Sequence, residues 1–276
     1  MTEARRKVLV VGGYGTFGGR LVKLLLDEPR LTLVVAGRSQ ESASRFCREV
    51  GRAAAQLVPA RFDREGDLDA QLARIVPDIV VDATGPYQAY GDAPYRLVEA
   101  AIRYGAHYLD LADGSDFVRG ISAFDSAAKA RGVFVLSGVS SFPVLTAAVL
   151  REIARDMPRI DEVTAGIAPS PYAGVGLNVI RAIAGYAGRK TKLKRNGRWT
   201  EGYALTETMR YTVSPPGRLP LHSTHFSLVD VPDLQLVPDL MPDIRTLWVG
   251  AGPVPEILHR MLNLLAWLVR WRVVPS

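Results

Sequence analysis

Directly behind the apolar run Val8-Leu9-Val10-Val11 stands the segment Gly12-Gly13-Tyr14-Gly15-Thr16-Phe17-Gly18. An apolar strand that stops on glycine and then enters a helix is suited to holding a pyrophosphate. Glycine permits both the tight turn and a close approach of the anion to bare backbone, and the N–H groups of the first helical turn face the charge. Two glycine frames coexist, Gly13-x-Gly15-x-x-Gly18 and Gly12-x-x-Gly15-x-x-Gly18, and the spacing does not choose between them. Either suits a dinucleotide, so the whole segment, Gly13 and Tyr14 included, is the candidate cofactor-binding turn.

The next apolar run, Val34-Val35-Ala36, ends on Gly37, then Arg38 and Ser39, where an NAD site would carry Asp or Glu against the ribose hydroxyls. A carboxylate would repel a 2′-phosphate. A guanidinium offers that phosphate a fixed fork of donors and a hydroxyl adds one more, so NADP is the expected cofactor.

With the hydride supplied by a nicotinamide, the protein has to provide a shaped pocket, groups that orient substrate and a route for a proton. Tyr87, Tyr108 and Asp110 fall at predicted strand ends on the cofactor side, where a phenol or carboxylate could relay that proton, and they are the catalytic candidates. His107 is expected to be structural, and His222 and His225 to be surface or satisfied histidines. Tyr186 and Lys190 have the Tyr-x-x-x-Lys spacing of short-chain reductases, but Gly185 and Gly188 weaken the helix that spacing requires.

The elements that position these residues follow from periodicity. A helix over Phe17–Leu26 follows the glycine turn. The alternation then continues with strands near Ala60–Phe62, Ile79–Ala83, His107–Leu111 and Val133–Ser137, and helices near Leu68–Arg74, Ala93–Tyr104 and Phe117–Ala130. Such a series builds a doubly wound parallel sheet, so residues 1–140 are expected to form an α/β Rossmann domain. After a helix expected over Phe142–Met157, with Pro143 in its first turn, the rhythm stops. Residues 141–276 read as a smaller α+β domain. It has a strand at Glu162–Ile167, a helix near Leu177–Ala187, a hairpin turning at Asn196-Gly197, strands at Thr206–Val213, His225–Val229 and Thr246–Val249, and a helix at Glu256–Trp271.

That last helix is apolar on most faces and needs a partner: a dimer interface, a membrane surface or further chain that would cover it. An interface or further chain is expected ahead of peripheral membrane contact, because its arginines are few and form no single polar face. Its uncharged run is too short to be a transmembrane segment. The formal net charge of +6 is spread along 276 residues rather than gathered into a stripe, which favours anionic small molecules over nucleic acid. The basic run Lys190, Lys192, Lys194, Arg195 and Arg198 reads as the exposed, solvated face of a hairpin, with a polyanion site as the alternative. The single cysteine, Cys47, excludes internal disulfides and suggests a reducing compartment, the cytoplasm, and no His/Cys cluster suggests a metal.

The segments Gly12–Gly18, Ala36-Gly37-Arg38, Val81-Asp82-Ala83-Thr84-Gly85-Pro86-Tyr87, Gly105–Leu111 and Ser137–Pro143 resemble the saccharopine dehydrogenase-like NADP-binding proteins. Val179–Trp199 and Asp230–Leu234 are similar to the second half of that family, whose members are usually longer, so a chain incomplete at its C-terminus is expected. The resemblance implies a cofactor domain followed by a domain that holds a small-molecule substrate and makes a homodimer. Gly12, Gly15, Thr16, Phe17 and Gly18 would cradle the pyrophosphate, and Arg38 with Ser39 would hold the 2′-phosphate. Asp63 would lie near the adenine, and Thr84, Gly85, Pro86 and Tyr87 would line the nicotinamide pocket. The expected function is an NADP-dependent oxidoreductase acting on a C–N or C–O bond of a small polar substrate. The alternatives are a non-catalytic NADP-binding sensor or assembly module and a reductase of a lipid-like enoyl or keto substrate.

Overall fold

The computed structural model describes residues 5–169, 183, 185–253 and 255–274. The chain divides into two compact units, Met1–Ala112 with Gly120–Val139, and Asp113–Arg119 with Ser140–Ser276. The segment 113–119 thus joins the second unit, although it lies inside the run of the first in sequence.

The first unit is built around β1 (Arg6–Val11), whose Val and Leu residues alternate between two cores. Leu9 and Val11 pack on one face of the sheet and Val8 and Val10 on the other, as a strand covered by helices on both sides requires. Each such side chain contributes about 1.5–3 kcal/mol when fully buried. Around β1 lie β2 (Leu31–Gly37), β3 (Gln56–Arg61), β4 (Ile79–Asp82), β5 (His107–Asp110) and β6 (Val135–Leu136), all parallel, in the order β3-β2-β1-β4-β5-β6. The order reverses between β1 and β4, and that switch point is where an open α/β sheet leaves a crevice beyond its strand ends.

The crossovers are α1 (Thr16–Leu24), α2 (Gln40–Val50), α3 (Leu68–Ile75) and α4 (Arg96–Tyr104). Ser39 caps α2 by accepting the Ser42 N–H at 3.1 Å, and Asp67 caps α3 through the Ala70 N–H at 3.0 Å. The helix expected over Phe117–Ala130 is instead α5 (Ser115–Gly120), a tight turn and α6 (Asp125–Arg131). Gly120 ends α5, and only glycine fits there because a Cβ would run into the Tyr95 phenol.

In the second unit the helix expected over Phe142–Met157 shortens to α7 (Thr146–Ala154). Phe142, at φ −110° and ψ 121°, takes the extended backbone that a residue before proline prefers, so regular helix starts only beyond Pro143. The strands are β7 (Glu162–Ile167), β8 (Lys190–Arg195), β9 (Arg198–Tyr203), β10 (Thr208–Val213), β11 (Leu221–Leu228) and β12 (Thr246–Ala251). A mixed sheet runs β10-β11-β12-β7, with β12 and β7 parallel, and β8-β9 is the hairpin that turns at Asn196-Gly197. Of the helix expected near Leu177–Ala187, residues 177–182 and 184 lie outside the described residues.

Among the described residues the unit also has α8 (Asp233–Leu240), which carries Pro238 and has no counterpart in the sequence reading, and α9 (Glu256–Arg270). In α9 the amphipathic pattern is inverted. Its buried side carries His259 and Asn263, which bond to Ser227 of β11 at 2.7 and 2.8 Å, while Ile257, Leu258, Met261 and Leu264 are exposed. Burial holds the His259 imidazole down at about 4, so it is neutral in this contact. Among the described residues no helix is long and apolar enough to cross a membrane, and no group of three or more His, Cys, Asp or Glu could hold a metal ion.

Candidate nucleotide site at the switch point

The turn after β1 resolves the two glycine frames. Gly12 adopts φ +80° and donates its N–H to the Ala36 carbonyl at 2.8 Å, while Gly15 closes the turn by donating to the Gly12 carbonyl at 2.8 Å. Gly12 therefore supplies the left-handed conformation. Gly13 is needed for a different reason: a Cβ there would sit 2.8 Å from the Val10 carbonyl oxygen. A Cβ on Gly18 would overlap the Gly12 carbonyl, so α1 can approach the turn this closely only without a side chain at that position. No side chain caps α1 at Gly15 among the described residues, and Gly15, Thr16 and Phe17 are exposed. The first turn of α1 thus carries N–H groups that no side chain at its N-cap satisfies.

The Thr84 segment meets this turn. A Cβ on Gly12 would lie 2.8 Å from the Ala83 carbonyl oxygen and 3.2 Å from Thr84 Cγ2, so the loops after β1 and β4 touch at the switch point. At the end of β2, Arg38 is exposed and makes no hydrogen bond or ion pair among the described residues. Asp63, beyond β3, accepts the Glu65 N–H at 3.1 Å and so closes a turn.

Beyond β4 the side chains form one polar network. Asp82 is fully buried. Its Oδ1 accepts the Thr84 N–H at 3.0 Å and the Thr84 hydroxyl at 2.6 Å, and its Oδ2 accepts the Tyr90 hydroxyl at 3.2 Å and lies 3.5 Å from Arg64 Nε. The Tyr90 and Thr84 hydroxyl oxygens are 2.5 Å apart, and the Arg64 guanidinium stacks 3.2 Å from the centre of the Tyr90 ring. Burial pushes the Asp82 carboxyl up while Thr84, Arg64 and Tyr90 pull it down.

Tyr87 braces the ends of β4 and β5, donating to the Asp82 carbonyl at 2.6 Å and accepting the Leu111 N–H at 3.2 Å. Burial holds its phenol well above the ordinary range. Tyr108 is 1% exposed within the apolar core, and burial likewise raises its phenol. Asp110 pairs in register with Asp82 on the neighbouring strand. Its Oδ1 accepts the N–H groups of Ala112 and Gly138 and the Ser137 hydroxyl, at 2.8–3.0 Å, whereas its buried Oδ2 has no partner among the described residues. Burial, opposed by those three donors and reinforced by Asp82, lifts the carboxyl to about 6.

A family model, saccharopine dehydrogenase NADP binding domain, matches residues 8–136. The chain is similar to that domain family over this stretch, a little under half of its length. The matched stretch coincides with β1 to β6, and the nicotinamide dinucleotide that the match implies fits the turn whose glycines leave no room for a Cβ. A curated relative, a lipid droplet localized protein of Caenorhabditis elegans, is 29% identical over 152 residues, which are 51% of this chain and 34% of the relative. The chain therefore spans about a third of the length of the curated relative it matches. Among solved structures, GenD2 from gentamicin A biosynthesis in complex with NAD has 18% identity and a TM-score of 0.46, covering 91% of this chain and 67% of its own. The WlbA dehydrogenase of Thermus thermophilus with NAD and α-ketoglutarate has 14% identity and a TM-score of 0.45, covering 93% and 77%.

Within residues 8–136, the structure brings the glycine turn, Thr84, Gly85, Pro86, Tyr87 and Asp110 to the strand ends flanking the switch point, with Arg38 and Ser39 at the end of β2. Tyr108 lies inside the sheet instead. Arg64, Asp82 and Tyr90 are the polar residues that reading the chain missed. Asp82 and Tyr90 stand eight apart and Arg64 is more distant still, so no local pattern links them, although an acidic residue ending an otherwise apolar strand is itself a signal of a buried, partnered carboxylate.

Proposed function

We propose that this chain is an NADP-dependent oxidoreductase transferring hydride between a nicotinamide and a C–N or C–O bond of a small polar substrate. The observation that carries the reading is the meeting of the glycine turn and the Thr84 segment at the switch point, beside a β2 end that has Arg38 and no acid. Bound there, the nicotinamide supplies the hydride. The protein's part is to cradle the pyrophosphate on the first turn of α1, hold the 2′-phosphate on Arg38 and Ser39, and manage one proton. Asp110 suits that last task, since a carboxyl near 6 with one unpartnered oxygen takes up or gives up a proton close to neutrality. Tyr87 and Tyr108 then act as a brace and as packing. The second unit would hold the substrate and form a homodimer, in the cytoplasm.

A second reading, reduction of a lipid-like enoyl or keto substrate at a lipid surface, is favoured by the inverted α9. Its exposed apolar face offers an apolar surface a seat, and the nematode relative is by name localised to lipid droplets.

NADPH oxidation by the purified chain, followed over panels of imines, ketones and enoyl thioesters, tests both. Turnover of small polar imines or ketones supports the first reading. Turnover of enoyl thioesters that rises at least several-fold with phospholipid vesicles, and loses that rise in Leu264→Glu, supports the second. Tight NADPH binding with no turnover in any panel contradicts both and leaves a sensor.

A further inference from the structure

The loop between β1 and α1 reaches over to the end of β2 through Tyr14. The phenol lies against Gly37 so closely that a Cβ there would be 2.5 Å from the Tyr14 hydroxyl oxygen and 2.7 Å from two of its ring carbons. The same hydroxyl accepts the Ser39 N–H at 3.1 Å, while its own proton is donated to no group among the described residues. Ser39 is in a matching state, for its Oγ accepts the Ser42 N–H and its proton is likewise undonated among the described residues. With the exposed Arg38 guanidinium, two hydroxyl donors and a cation gather at the position that meets the 2′ substituent of an adenosine ribose.

We propose that Tyr14 is the residue that sets the cofactor preference, donating its hydroxyl to the 2′-phosphate and blocking the acidic side chain that an NAD site carries at the end of β2. This rests on the NADP reading above and names the determinant within it. The two effects share one cause. The ring that occupies the space above Gly37 excludes a carboxylate sterically, and the Ser39 N–H anchors the phenol oxygen while leaving its proton for the phosphate. A hydrogen bond to a charged group contributes about 1.5–3 kcal/mol, so its loss is read as roughly a 10- to 100-fold change in affinity.

Calorimetric titration with 2′,5′-ADP and 5′-AMP separates the phosphate's contribution from everything else in the cofactor. Wild type is expected to prefer 2′,5′-ADP, and Tyr14→Phe, which keeps the ring over Gly37, to lose about 10-fold or more of that affinity with 5′-AMP unchanged. Gly37→Asp alone should bind both poorly, and Tyr14→Ala with Gly37→Asp should recover 5′-AMP binding. If wild type prefers 2′,5′-ADP but Tyr14→Phe leaves the ratio unchanged, the donor role of Tyr14 is overturned and the NADP reading stands. If the double variant recovers nothing, the blocking role is overturned. If wild type shows no preference, the NADP reading itself falls and the role of Tyr14 with it.

Discussion

Gly18→Ala is expected to weaken binding of the nicotinamide cofactor by at least 100-fold. The added Cβ would overlap the Gly12 carbonyl oxygen and also come within 3.1 Å of Gly13 Cα, and these are backbone atoms that cannot rotate aside. Relief requires α1 to move off the turn, which separates the helical N–H groups from the anion they would hold. Overpacking of this kind also costs about 1–3 kcal/mol in stability. The neighbouring glycine supplies the control. A Cβ on Gly19 would meet the edge of the Phe46 ring at 3.1 Å, and a side chain can yield by a few tenths of an ångström. Gly19→Ala should therefore bind cofactor within a few-fold of wild type. Fluorescence titration with NADPH and a melting curve for each variant check the pair, and similar affinities for the two variants would contradict this account of the turn.

The second large effect is electrostatic. Asp110 has a folded-state value of about 6, raised above the ordinary carboxylate value of about 3.9. Above pH 6 it is ionised in both the folded and unfolded states, and burial makes the folded charge unfavourable. As pH falls through 6 the folded state takes up a proton first and gains stability, and below about 4 both states are protonated and no further gain occurs. A shift of about two pK values corresponds to roughly 3 kcal/mol, an upper figure because the surroundings relax. Asp110→Asn removes the charge while keeping an oxygen that can accept from Ala112, Ser137 and Gly138. The stability of this variant relative to wild type should therefore be about 1–3 kcal/mol more favourable at pH 8 than at pH 4. Comparing each variant with wild type at the same pH cancels contributions from other groups, including the buried Asp233, which burial also raises to about 6, and His259. Urea denaturation at pH 8, 6 and 4 measures it, and a difference that does not change with pH would remove Asp110 from the groups that titrate near neutrality.

Much of the first unit could be read from the chain because its requirements are local. Four consecutive apolar residues before a glycine turn leave few alternatives to a buried strand, and the alternation of Leu9 and Val11 against Val8 and Val10 follows from the strand itself. Glycine requirements are also local where a turn or close approach sets them, although only the observed φ at Gly12 separated the two frames. The Arg64–Tyr90–Asp82 network was not legible, because each residue alone looks like an ordinary loop or strand-end residue and the contact appears only when the connections after β3 and β4 are packed. Helix α8 was hidden by Pro238, a residue that argues against helix, and α7 was drawn too long because Pro143 fixes the residue before it as extended. The inverted face of α9 could not be foreseen, since composition gives its apolar content but not that two polar side chains would be buried against Ser227.

The central claim is that the first unit holds NADP at the switch point through Arg38. Titrating NADPH and NADH side by side into wild type and Arg38→Ala tests it most directly. Arg38 is exposed and without a hydrogen bond or ion pair among the described residues, so its removal should leave the fold intact. The expected result is a wild-type preference for NADPH that falls by about 10-fold or more in Arg38→Ala, with NADH affinity unchanged. Equal binding of both cofactors by wild type, or a preference untouched by Arg38→Ala, would contradict it.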